Sequence, residues 1–442
     1  MSLYPRFLQR INDLYPQGPL YVAFSGGLDS TVLLVLAARL AAEQAREIHA
    51  LHVHHGLQAA ADAWPAHCAR VAESLNVPCR ILQVKVETGP RISLEAAARN
   101  ARYAALADEL PSGAALLTGH HLDDQAETLL LALKRGAGIA GLAAMPECKP
   151  LGQGIQLRPL LQVSRAELER FATEQGLSWV EDPSNADNRF DRNFLRNEIL
   201  PRLLAQWPAF AHTASRSAGL CAEQLELAEA LAGQDLPALQ NDHGGLCVAG
   251  LSRLSQTRRN NALRYWLARA GLHLSLSQLK VVWHELAQAR VDADPVFNIG
   301  GKTLRRYQGH LYVPVLQGKP VAASLLEPEQ WLALGVGRLR LCRVEDEADL
   351  RVDLAPQQLH IAFAVSGLRA RPVGRSGSRP LKKLWQEYGV PPWHRERVPL
   401  LMLGEQLVAA VGVFVCSGFA AKPGQPGWKM EWTPGAQAAS LH

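Results

Sequence analysis

The fold of this chain is decided by the stretch Ser25-Gly26-Gly27-Leu28-Asp29-Ser30, which joins an apolar run at 20–24 to a longer one at 31–38. This order predicts a strand, a glycine-rich turn and a helix. The first N–H groups of a helix lack intrahelical partners, and its dipole favours an anion there. Glycine lets the backbone approach a phosphate without a Cβ in between. The stretch therefore predicts a phosphate site, with the hydroxyls of Ser25 and Ser30 as further donors and Asp29 as ligand of a divalent cation.

Two other phosphate-binding patterns do not fit this stretch. The mononucleotide P-loop needs a Lys after its last glycine, and Leu28 follows Gly27 here. The dinucleotide fingerprint needs the pattern Gly-x-Gly-x-x-Gly, which is absent at this turn. The stretch instead resembles the pyrophosphate-binding loop of the N-type ATP pyrophosphatases, which cleave ATP between the α- and β-phosphates. A serine- and glycine-rich helix cap without a ligand is the alternative.

Residues 18–120 alternate between strand and helix patterns. Short apolar runs that read as buried strands lie at 20–24, 48–53, 79–84 and 114–118. Helical patterns follow at about 28–45, 62–76, 94–110 and 122–134. This order predicts an α/β fold with a doubly wound parallel sheet, in which ligands bind at the carboxyl ends of the strands. The loop 25–30, the segment from His52 to Leu57 and the segment from Thr118 to His121 each follow a strand, so we expect them to face one cleft.

The rest of the chain predicts a modular protein. Ser164 and Glu167 form a capping-box pattern at the start of a helix at 164–176, and helical patterns return at 198–235. We expect an α/β catalytic domain, a mainly helical domain, a linker region and a small α+β domain, in this order, at 1–216, 217–315, 316–356 and 357–442.

The composition is that of an ordinary globular protein. The 442 residues suggest about two or three domains, and 48% are hydrophobic and 20% charged. No apolar run reaches the roughly 18 residues of a membrane span, so we expect no membrane partner. The seven cysteines are widely spaced and form no C-x-x-C pair, which speaks against a zinc site or a disulfide framework. The N-terminus lacks a signal-peptide core, and a cytoplasmic location is the simplest interpretation.

The segment 119–128 carries a second group of reactive side chains. Asp124 and Glu127 lie three positions apart and therefore share a helix face. Two neighbouring carboxylates repel each other unless a cation lies between them, and Mg²⁺ and a substrate amine are both candidates. His120 and His121 could donate to phosphate oxygens or shuttle protons. The alternative is a helix cap followed by a solvated acidic turn.

Two pairs of arginines are spaced to lie on helix faces. Arg99 and Arg102 share one face, where either could neutralise charge on a phosphate. A surface ion pair between Glu95 and Arg99 is the alternative. Arg192 and Arg196 lie one helical turn apart and could clamp a phosphate or a nucleotide. Their alternative is a generic basic helix face.

The positive charge of the chain is concentrated towards its C-terminal end. The whole chain carries a net charge of +5, whereas residues 366–400 hold eight Lys or Arg and two Glu, a net charge of +6. A basic patch that also holds aromatic residues suits the phosphate backbone of RNA. A solvated loop without a partner is the alternative.

Several motifs together resemble the bacterial tRNA(Ile)-lysidine synthases. They lie at 25–30, 98–103, 119–128, 158–161, 181–185, 192–197, 377–385 and 390–400. The match covers nearly the whole chain, and the motifs after residue 90 are more specific than the first loop. The resemblance implies the adenine nucleotide alpha hydrolase-like fold of the PP-loop superfamily for the first domain.

The resemblance also implies a ligase reaction in two steps that uses ATP and Mg²⁺. ATP first adenylates the C2 oxygen of the cytidine at the first anticodon position of a minor isoleucine tRNA, whose anticodon is CAU, and pyrophosphate leaves. The ε-amine of free lysine then attacks C2 and displaces AMP, which gives lysidine. The implied partners are this tRNA and free lysine, and the sequence leaves open whether the chain forms a homodimer.

Roles for single residues follow from the same resemblance. ATP would be bound by Ser25, Gly26, Gly27, Leu28, Asp29, Ser30, His54 and His120, with Asp29 at Mg²⁺. The lysine ammonium would be held or deprotonated by Asp124 and Glu127. The adenylate would be stabilised by Arg99 or Arg102 and by Arg196. The tRNA would be bound by Arg192, Arg371, Lys382, Lys383, Trp393, Arg395 and Arg397, with Trp385 beside them. Core packing is the alternative for both tryptophans.

Three other functions remain open. A tRNA thiolase with the same loop needs cysteines to carry sulfur, and the C-x-x-C pair is missing. An ATP-dependent amide synthetase on the same fold has no use for a basic C-terminal module, and its glutamine-using forms need a nucleophilic cysteine in a further domain. An RNA-binding protein with an inactive loop is the third, although the carboxylates of Asp29, Asp124 and Glu127 are retained.

Overall fold

The computed structural model describes residues 2–54, 56, 63–86, 94–241, 244–290, 295–315, 318–322 and 327–435. The chain divides into two units, Met1–Leu227 and Ala228–His442, and the division falls inside a long helix. Within the described residues, every helix is too short or too polar to span a lipid bilayer.

The first unit is built on a six-stranded sheet. Its strands are β1 (Leu20–Ala23), β2 (Ile48–His54), β3 (Cys79–Gln83), β4 (Ala115–Leu117), β5 (Cys148–Leu151) and β6 (Gly154–Leu157). The strand order is β3-β2-β1-β4-β6-β5, and every neighbouring pair is parallel except β5 and β6. Because β2 and β4 flank β1 on opposite sides, the winding direction reverses at β1, where doubly wound sheets bind their ligands.

Helices of very different length surround this sheet. They are α1 (Leu3–Leu14), α2 (Leu28–Gln44), α3 (Trp64–Ser74), α4 (Leu94–Asp108), α5 (Leu122–Lys134), α6 (Ile139–Leu142), α7 (Arg165–Glu174), α8 (Asp191–Phe194), α9 (Leu200–Gln206) and α10 (Phe210–Leu239), which crosses into the second unit. A π-helical turn, Leu195–Ile199, joins α8 to α9. The capping box predicted for α7 is present, since Ser164 Oγ accepts from the Glu167 N–H and Glu167 accepts from the Ser164 N–H.

The two faces of the sheet are covered by different helices. Leu20 and Val22 of β1 pack with residues of α1, α2, α3 and α7 on one face. Tyr21, which points to the opposite face, packs in a cluster with Leu106 of α4. Successive side chains of a strand alternate between faces, so β1 is anchored on both. Burial of each Leu or Val side chain stabilises the folded state by about 1.5–3 kcal/mol. The core on both faces of the sheet confirms the doubly wound fold.

One strand departs from the expected burial. The apolar run at 79–84 forms β3, but β3 pairs only with β2 and Ile81 is 42% exposed. The expectation of a buried strand is wrong here, because apolarity does not reveal whether a strand lies at the edge of a sheet. The other strands and helices predicted within residues 18–134 agree with the structure to within two residues at each end. The hairpin of β5 and β6 was not predicted and completes the opposite edge.

The second unit begins with a mainly helical region. Its helices are the end of α10, α11 (Val248–Arg253), α12 (Gln256–Arg269) and α13 (Leu276–Val281), which continues into a π-helical turn, Val282–Ala287. A small antiparallel sheet accompanies them, with β7 (Leu246–Cys247), β8 (Val296–Ile299), β9 (Lys302–Tyr307) and β10 (His310–Tyr312) in the order β7-β10-β9-β8. The shared core includes Leu263, Trp283 and Leu304.

The last part of the chain consists of short strands and two helices. The strands are β11 (Leu332–Ala333), β12 (Gly337–Val344), β13 (Leu350–Arg351), β14 (Leu359–Ala362), β15 (Arg369–Ala370), β16 (Arg379–Pro380), β17 (Leu400–Leu403), β18 (Gln406–Ala410), β19 (Phe414–Val415) and β20 (Gly427–Pro434). The helices are α14 (Leu381–Glu387) and α15 (Pro392–Arg395). The strands form two four-stranded sheets, β11-β12-β20-β13 and β14-β17-β18-β19, and the pair β15-β16.

Part of the segment expected to be a linker is folded into these sheets. β12 pairs with β20 along its whole length, from Gly337 opposite Pro434 to Val344 opposite Gly427. Leu339 and Leu341 of β12 are buried and alternate with arginines, which is the pattern of a half-buried strand. Residues 332–351 therefore contribute three strands to the same sheet as the last strand of the chain.

Candidate active site

The loop 25–30 and the segment 119–128 meet at the carboxyl end of the sheet. Because β1 and β4 are hydrogen-bonded neighbours, the segments that follow them start side by side. Gly119 lies so close to the loop that a Cβ on it would come within 3.0 Å of the Asp29 carbonyl. Any larger residue would push one backbone away from the other. The two motifs, distant in the sequence, are therefore parts of one site.

The backbone of the loop is shaped to receive an anion. Gly26 has a φ of +85°, and a Cβ there would approach Cys68 Sγ at 2.9 Å. The Gly26 carbonyl accepts from the Val180 N–H at 2.9 Å, which anchors the loop. Gly27 precedes α2 with extended backbone and without a capping side chain, so the first N–H groups of the helix can bind a phosphate. The side chain of Leu28 is buried in the core, so Leu28 offers its backbone alone.

The two serines of the loop bind each other. Ser25 Oγ and Ser30 Oγ lie 3.0 Å apart, and Ser30 Oγ also donates to the Gly27 carbonyl at 3.0 Å. The Ser25 N–H donates to Ser30 Oγ at 3.2 Å. In this arrangement the hydroxyls maintain the shape of the loop, and each can turn its one hydrogen to a phosphate oxygen.

Asp29, the carboxylate of the loop, lies among positive groups. Its Oδ2 is 3.7 Å from His121 Nε2 and 3.7 Å from Arg165 Nη1. Its Oδ1 is buried and has no hydrogen-bond partner among the described residues. Burial raises the pKa of Asp29 although these cations oppose the shift. A buried carboxylate oxygen that lacks a described partner, at the start of a helix whose first N–H groups can bind an anion, is a suitable ligand for a divalent cation.

Asp124 and Glu127 form a hydrogen-bonded network with Arg192 and Arg196. Arg192 donates from Nε to Glu127 Oε2 and from Nη2 to Asp124 Oδ1, both at 2.8 Å. Arg196 donates from Nε to Glu127 Oε1 at 2.7 Å. Its Nη2 donates to Asp124 Oδ1 at 2.8 Å and to Glu127 Oε2 at 3.0 Å. Because Asp124 Oδ2 accepts from the His121 N–H at 3.0 Å, every carboxylate oxygen of the network has a donor.

The charges in this network are desolvated and balanced. The Glu127 side chain is fully buried, and that of Asp124 is 9% exposed. Burial disfavours the ionised form of Asp124, but His121, Arg192 and Arg196 outweigh it and lower the pKa. Burial also disfavours the charge of Arg196, whereas Glu127 and Asp124 raise its pKa. The repulsion between the two carboxylates is thus relieved by guanidinium groups of the same chain.

The pKa values of the two histidines of the segment shift in opposite directions. His121 is fully buried, and its ring nitrogens lie 3.5–3.7 Å from the carboxylates of Asp29, Asp123 and Asp124. Burial disfavours its charged form, but these carboxylates raise its pKa. For His120, burial and the nearby arginines lower the pKa to about 3. His120 is therefore a neutral imidazole at pH 7, whereas the pKa of His121 is shifted in the opposite direction.

A chain of hydrogen bonds runs from His120 to a buried arginine. Thr118 Oγ1 lies 3.0 Å from His120 Nδ1 and accepts from Gln156 Nε2 at 2.9 Å. Gln156 Oε1 accepts from Arg158 Nη2 at 3.0 Å. Burial lowers the pKa of Arg158. This network fixes the orientation of His120 from the carboxyl ends of β4 and β6.

Arg99 and Arg102 lie exposed on α4 beside an aromatic ring. Their guanidinium carbons are 5.1 and 5.8 Å from the centre of the Tyr103 ring, and Lys149 Nζ is 5.5 Å from it. Arg99 is also close enough to His120 to lower its pKa. The Glu95 side chain lies outside the described residues, so its pairing with Arg99 stays a prediction. Three cations around one ring form a basic surface at the site.

The histidines after β2 are described in part. His54 is the last residue of β2. His52 is buried, with its Nδ1 2.9 Å from the Phe24 carbonyl, and this contact joins β2 to the chain just before the loop. His55 and Leu57 lie outside the described residues.

The basic residues expected to bind tRNA differ in their exposure and in their hydrogen-bond partners. Lys382 and Lys383 are exposed on α14. Three arginines donate to neighbouring oxygens: Arg371 to the Ser417 hydroxyl at 2.7 Å, Arg395 to the Val390 carbonyl at 3.0 Å and Arg397 to the Gly318 carbonyl at 3.1 Å. Arg192 is different, because it lies in the first unit and binds Asp124 and Glu127.

The two C-terminal tryptophans differ in burial. Trp385 is buried in the core near Phe414, so a role in base stacking is wrong for it and the core alternative holds. Trp393 is half-buried, and its ring centre lies 5.3 Å from that of Tyr312 and 5.9 Å from that of Tyr307. Trp393 thus belongs to an aromatic cluster with Tyr307 and Tyr312, which the sequence did not predict because these residues are far apart in the chain.

Sequence reasoning missed several residues of the site. Arg165 lies beside Asp29, and its N–H donates to Asp123 Oδ2 at 2.8 Å. Lys149 comes from β5, a strand that the sequence did not predict. In the sequence, the position of Arg165 directly after the Ser164 cap indicates the start of a helix and nothing about a binding site. Only the packing of α7 shows that Arg165 lies beside Asp29.

A phosphate-binding loop at the switch point of a doubly wound sheet defines the chain as a PP-loop enzyme that uses ATP, and residues 3–203 match the PP-loop domain family. Residues 246–312 match the TilS substrate binding domain, and residues 359–432 match the TilS substrate C-terminal domain. The chain belongs to the tRNA(Ile)-lysidine synthase family, which confirms the resemblance drawn from its motifs.

The similarity to individual proteins extends over nearly the whole chain. A tRNA(Ile)-lysidine synthase of Yersinia pseudotuberculosis is 44% identical over 431 residues, which cover 93% of this chain and 95% of that one. The tRNA(Ile)-lysidine synthase of Edwardsiella ictaluri is 45% identical over 418 residues, which cover 94% and 95%. Among solved structures, a U34-tRNA thiolase of Methanococcus maripaludis is 17% identical, with a TM-score of 0.41, covering 49% of this chain and 76% of that one.

Proposed function

We propose that this chain joins free lysine to C2 of the wobble cytidine of a minor isoleucine tRNA with the anticodon CAU. The chain is an ATP-dependent ligase by its family. One observation carries the proposal: Gly119 packs the phosphate-binding loop against the segment that holds Asp124 and Glu127. This contact unites a phosphate site and a pair of carboxylates suited to an amine, which are the two requirements of the reaction.

In the first step, the backbone at 26–30 and the start of α2 would hold the phosphates of ATP. The C2 oxygen of the cytidine attacks the α-phosphorus, the bond to the β-phosphate oxygen breaks and pyrophosphate leaves. Positive side chains near the site, Arg99, Arg102 and Arg165, would stabilise the charge that develops on the phosphates. His54 and His120 would complete the contacts with ATP.

Asp29 fits a magnesium ion in this step. Its buried Oδ1 needs a cation or a donor, and Mg²⁺ is commonly held by one or two carboxylates together with substrate phosphates. In the part of the chain that the structure describes, no group of three or more His, Cys, Asp or Glu is arranged to hold a metal. Phosphate oxygens and water would therefore supply the other ligands. The bound ion would neutralise negative charge on the departing pyrophosphate.

In the second step, Asp124 and Glu127 would position the ε-amine of lysine. The amine must lose a proton before it attacks C2, and the bond from C2 to its adenylated oxygen then breaks so that AMP leaves. With a pKa of about 3, His120 is too weak a base to take this proton. We therefore assign His120 to the binding of phosphate and the carboxylates to the handling of the amine.

The basic C-terminal region would bind the tRNA. Lys382 and Lys383 are exposed, and Arg371, Arg395 and Arg397 lie in the same region of the sequence. These charges would contact the phosphate backbone near the acceptor stem, and the half-buried Trp393 would offer a ring edge or face to a base. The cytoplasmic location and the oligomeric state stay predictions.

A thiolase is the less suitable alternative. Cys68 is the cysteine nearest to the loop, since its Sγ is the atom that a Cβ on Gly26 would meet. Burial raises the pKa of Cys68 to about 12, so it remains a thiol at neutral pH and is a poor carrier of sulfur.

The test is the incorporation of radiolabelled lysine into an isoleucine tRNA transcript with the anticodon CAU, in the presence of ATP and Mg²⁺. A methionine tRNA transcript with the same anticodon is the control. We expect stable label in the isoleucine transcript alone. Release of pyrophosphate without label would retain the adenylation step and contradict lysine as the nucleophile.

A further inference from the structure

The helical turn at residues 190–196 has two faces of opposite character. Arg192 and Arg196, the arginine pair, point to the site, where they bind Asp124 and Glu127, the carboxylate pair. Phe190 and Phe194, the aromatic pair, are 43% and 45% exposed. The Phe194 N–H donates to the Phe190 carbonyl at 2.9 Å, so the two phenylalanines are one turn apart, as the arginines are. A single exposed ring needs no explanation, but two on one turn beside an active site indicate a binding surface.

In this arrangement the negative charge of the carboxylate pair is already balanced. Each of its oxygens accepts a hydrogen bond, and the two guanidinium charges balance the two carboxylates. A lysine ammonium that entered without displacing a guanidinium would leave an excess positive charge in a buried place. The arginine pair therefore occupies the position that the proposed function assigns to the substrate amine, and the present inference rests on that function.

The turn that carries the arginine pair is joined to its surroundings by polar contacts of modest strength. Lys134 and Asp191 form an ion pair at 2.5 Å, but both side chains are more than half exposed, so solvent screens the pair and it adds little stability. Asn193 Nδ2 donates to the carbonyls of Ser184 and Asp187 at 2.8 and 3.0 Å. A π-helical turn begins directly after Phe194, and such turns frequently occur at functional sites.

Unpaired RNA is the partner that suits the aromatic pair. Aromatic rings bind unpaired bases by stacking, and this interaction is tolerant of sequence. Arg189, which precedes Phe190, pairs with Asp187 at 2.7 Å, but its side chain is 89% exposed and can also contact a phosphate. The cytidine that reacts must reach the neighbourhood of the carboxylate pair, so the unpaired nucleotides beside it pass over the adjacent surface.

We propose that unpaired bases of the tRNA stack on the aromatic pair and that this contact draws the arginine pair away from the carboxylate pair. The site then opens to the lysine ammonium only after the RNA has bound. By linkage, the RNA and lysine strengthen each other's binding by the same factor, and a coupling of ordinary size is roughly 5- to 150-fold.

The experiment measures the binding of radiolabelled lysine to the full-length protein by equilibrium dialysis, without ATP, in the presence and absence of the isoleucine tRNA transcript. We expect the transcript to increase the lysine affinity of the unaltered protein by about ten-fold or more. In the double variant Phe190→Ala/Phe194→Ala, the transcript should no longer increase it. Trp207→Ala is the matched control, because Trp207 is another exposed aromatic residue of the same unit, 57% exposed, and should leave the increase unchanged.

A second variant tests the occupied site directly. Arg192→Gln removes one guanidinium and should allow lysine to bind without RNA. Arg192→Lys retains the positive charge and should keep the dependence on RNA, which separates a closed site from a general loss of folding. The thermal midpoint of each variant shows that it is folded under the conditions of the assay.

Three results would overturn the proposal. The first is that the unaltered protein binds lysine equally well with and without the transcript, or binds it in neither case. The second is that the transcript still increases the lysine affinity of Phe190→Ala/Phe194→Ala to the full extent. The third is that Arg192→Gln binds lysine only in the presence of RNA. Failure of the proposed function has a different signature, since the unaltered protein would then incorporate no stable lysine with ATP, Mg²⁺ and transcript.

Discussion

The loop 25–30 and the network around Asp124 are held in shape by opposite means. The loop is organised by its own backbone and by hydroxyls of residues five positions apart, as in the contact between Ser25 and Ser30. The network is organised by charged side chains that lie 65 to 72 positions apart in the chain. The comparison teaches that backbone groups of one short segment can bind a phosphate, which has a constant shape. A pair of buried carboxylates instead requires charged partners from distant parts of the chain, and only the fold can bring these together.

The two regions also differ in how they respond to change. Backbone donors of the loop remain after any substitution that preserves its conformation. In the network, each partner compensates the burial of another, so the loss of one leaves an uncompensated charge. Gly119 is the point at which the two regions touch. Substitutions in the loop, in the network and at this contact therefore test the comparison separately.

The largest effect is expected in the loop, from Asp29→Ala. Removal of the carboxylate takes away the ligand assigned to Mg²⁺, and we expect tRNA-dependent release of pyrophosphate to fall by about 10³-fold. Asp13→Ala is the control, because that carboxylate is 54% exposed and belongs to α1, outside the loop. Near-normal pyrophosphate release by Asp29→Ala would show that the backbone of the loop suffices for the first step.

Glu127→Gln tests the network with a side chain of the same shape. The variant leaves the arginines with one carboxylate in a buried place, so we expect a loss of about 3 kcal/mol in the free energy of unfolding. The KM for lysine should rise more than the KM for ATP. Glu198→Gln is the control, because its ion pair with Arg202 is exposed and should cost less than about 1 kcal/mol. An unchanged KM for lysine in Glu127→Gln would remove the assigned role.

Gly119→Ala tests the contact between the two regions. The added methyl group would lie 3.0 Å from the Asp29 carbonyl, so the loop and the segment must separate by a few tenths of an ångström. Since misplacement of reacting groups is costly, we expect kcat/KM to fall by about ten-fold while the protein stays folded. Gly138→Ala is the control, with an ordinary φ of −76° and open space where the added Cβ would lie. Equal activity of the two variants would mean that the contact does not position the chemistry.

The last prediction concerns pH and His120, and it leaves the contact between the two regions unchanged. Its pKa is lowered from 6.5 to about 3 by burial and nearby arginines, so the unfolded chain binds its proton more readily than the folded chain. His120 therefore adds stability above the unfolded pKa, and this contribution is lost as the pH falls from 6.5 towards 3. The slope is at most about 1.4 kcal/mol per pH unit. Urea unfolding of the unaltered protein and of His120→Gln over this range measures the difference, and parallel curves would contradict the burial of a neutral ring.

Much of the first unit could be predicted from the sequence. The strands β1, β2 and β4 and the helix α2 follow from runs of apolar residues with turn signals between them, and the capping box at Ser164 was recognisable from Glu167 three positions later. The edge position of β3 could not be predicted, because Ile81 is as apolar as a residue of a central strand. The pairing of β12 with β20 was equally hidden, since nothing in either strand encodes a partner so distant in the sequence.

The sequence by itself determined which groups are available for chemistry: a backbone able to bind phosphate, a carboxylate beside it, a second pair of carboxylates and a basic C-terminal region. Only the tertiary structure decided which of them face each other. It placed Arg192 and Arg196 on Asp124 and Glu127, buried His121 among three carboxylates and put Trp385 in the core while Trp393 stayed half-buried. The physical reason is that local patterns depend on the short-range geometry of the backbone, whereas the pairing of buried charges depends on where separate elements of the fold come together.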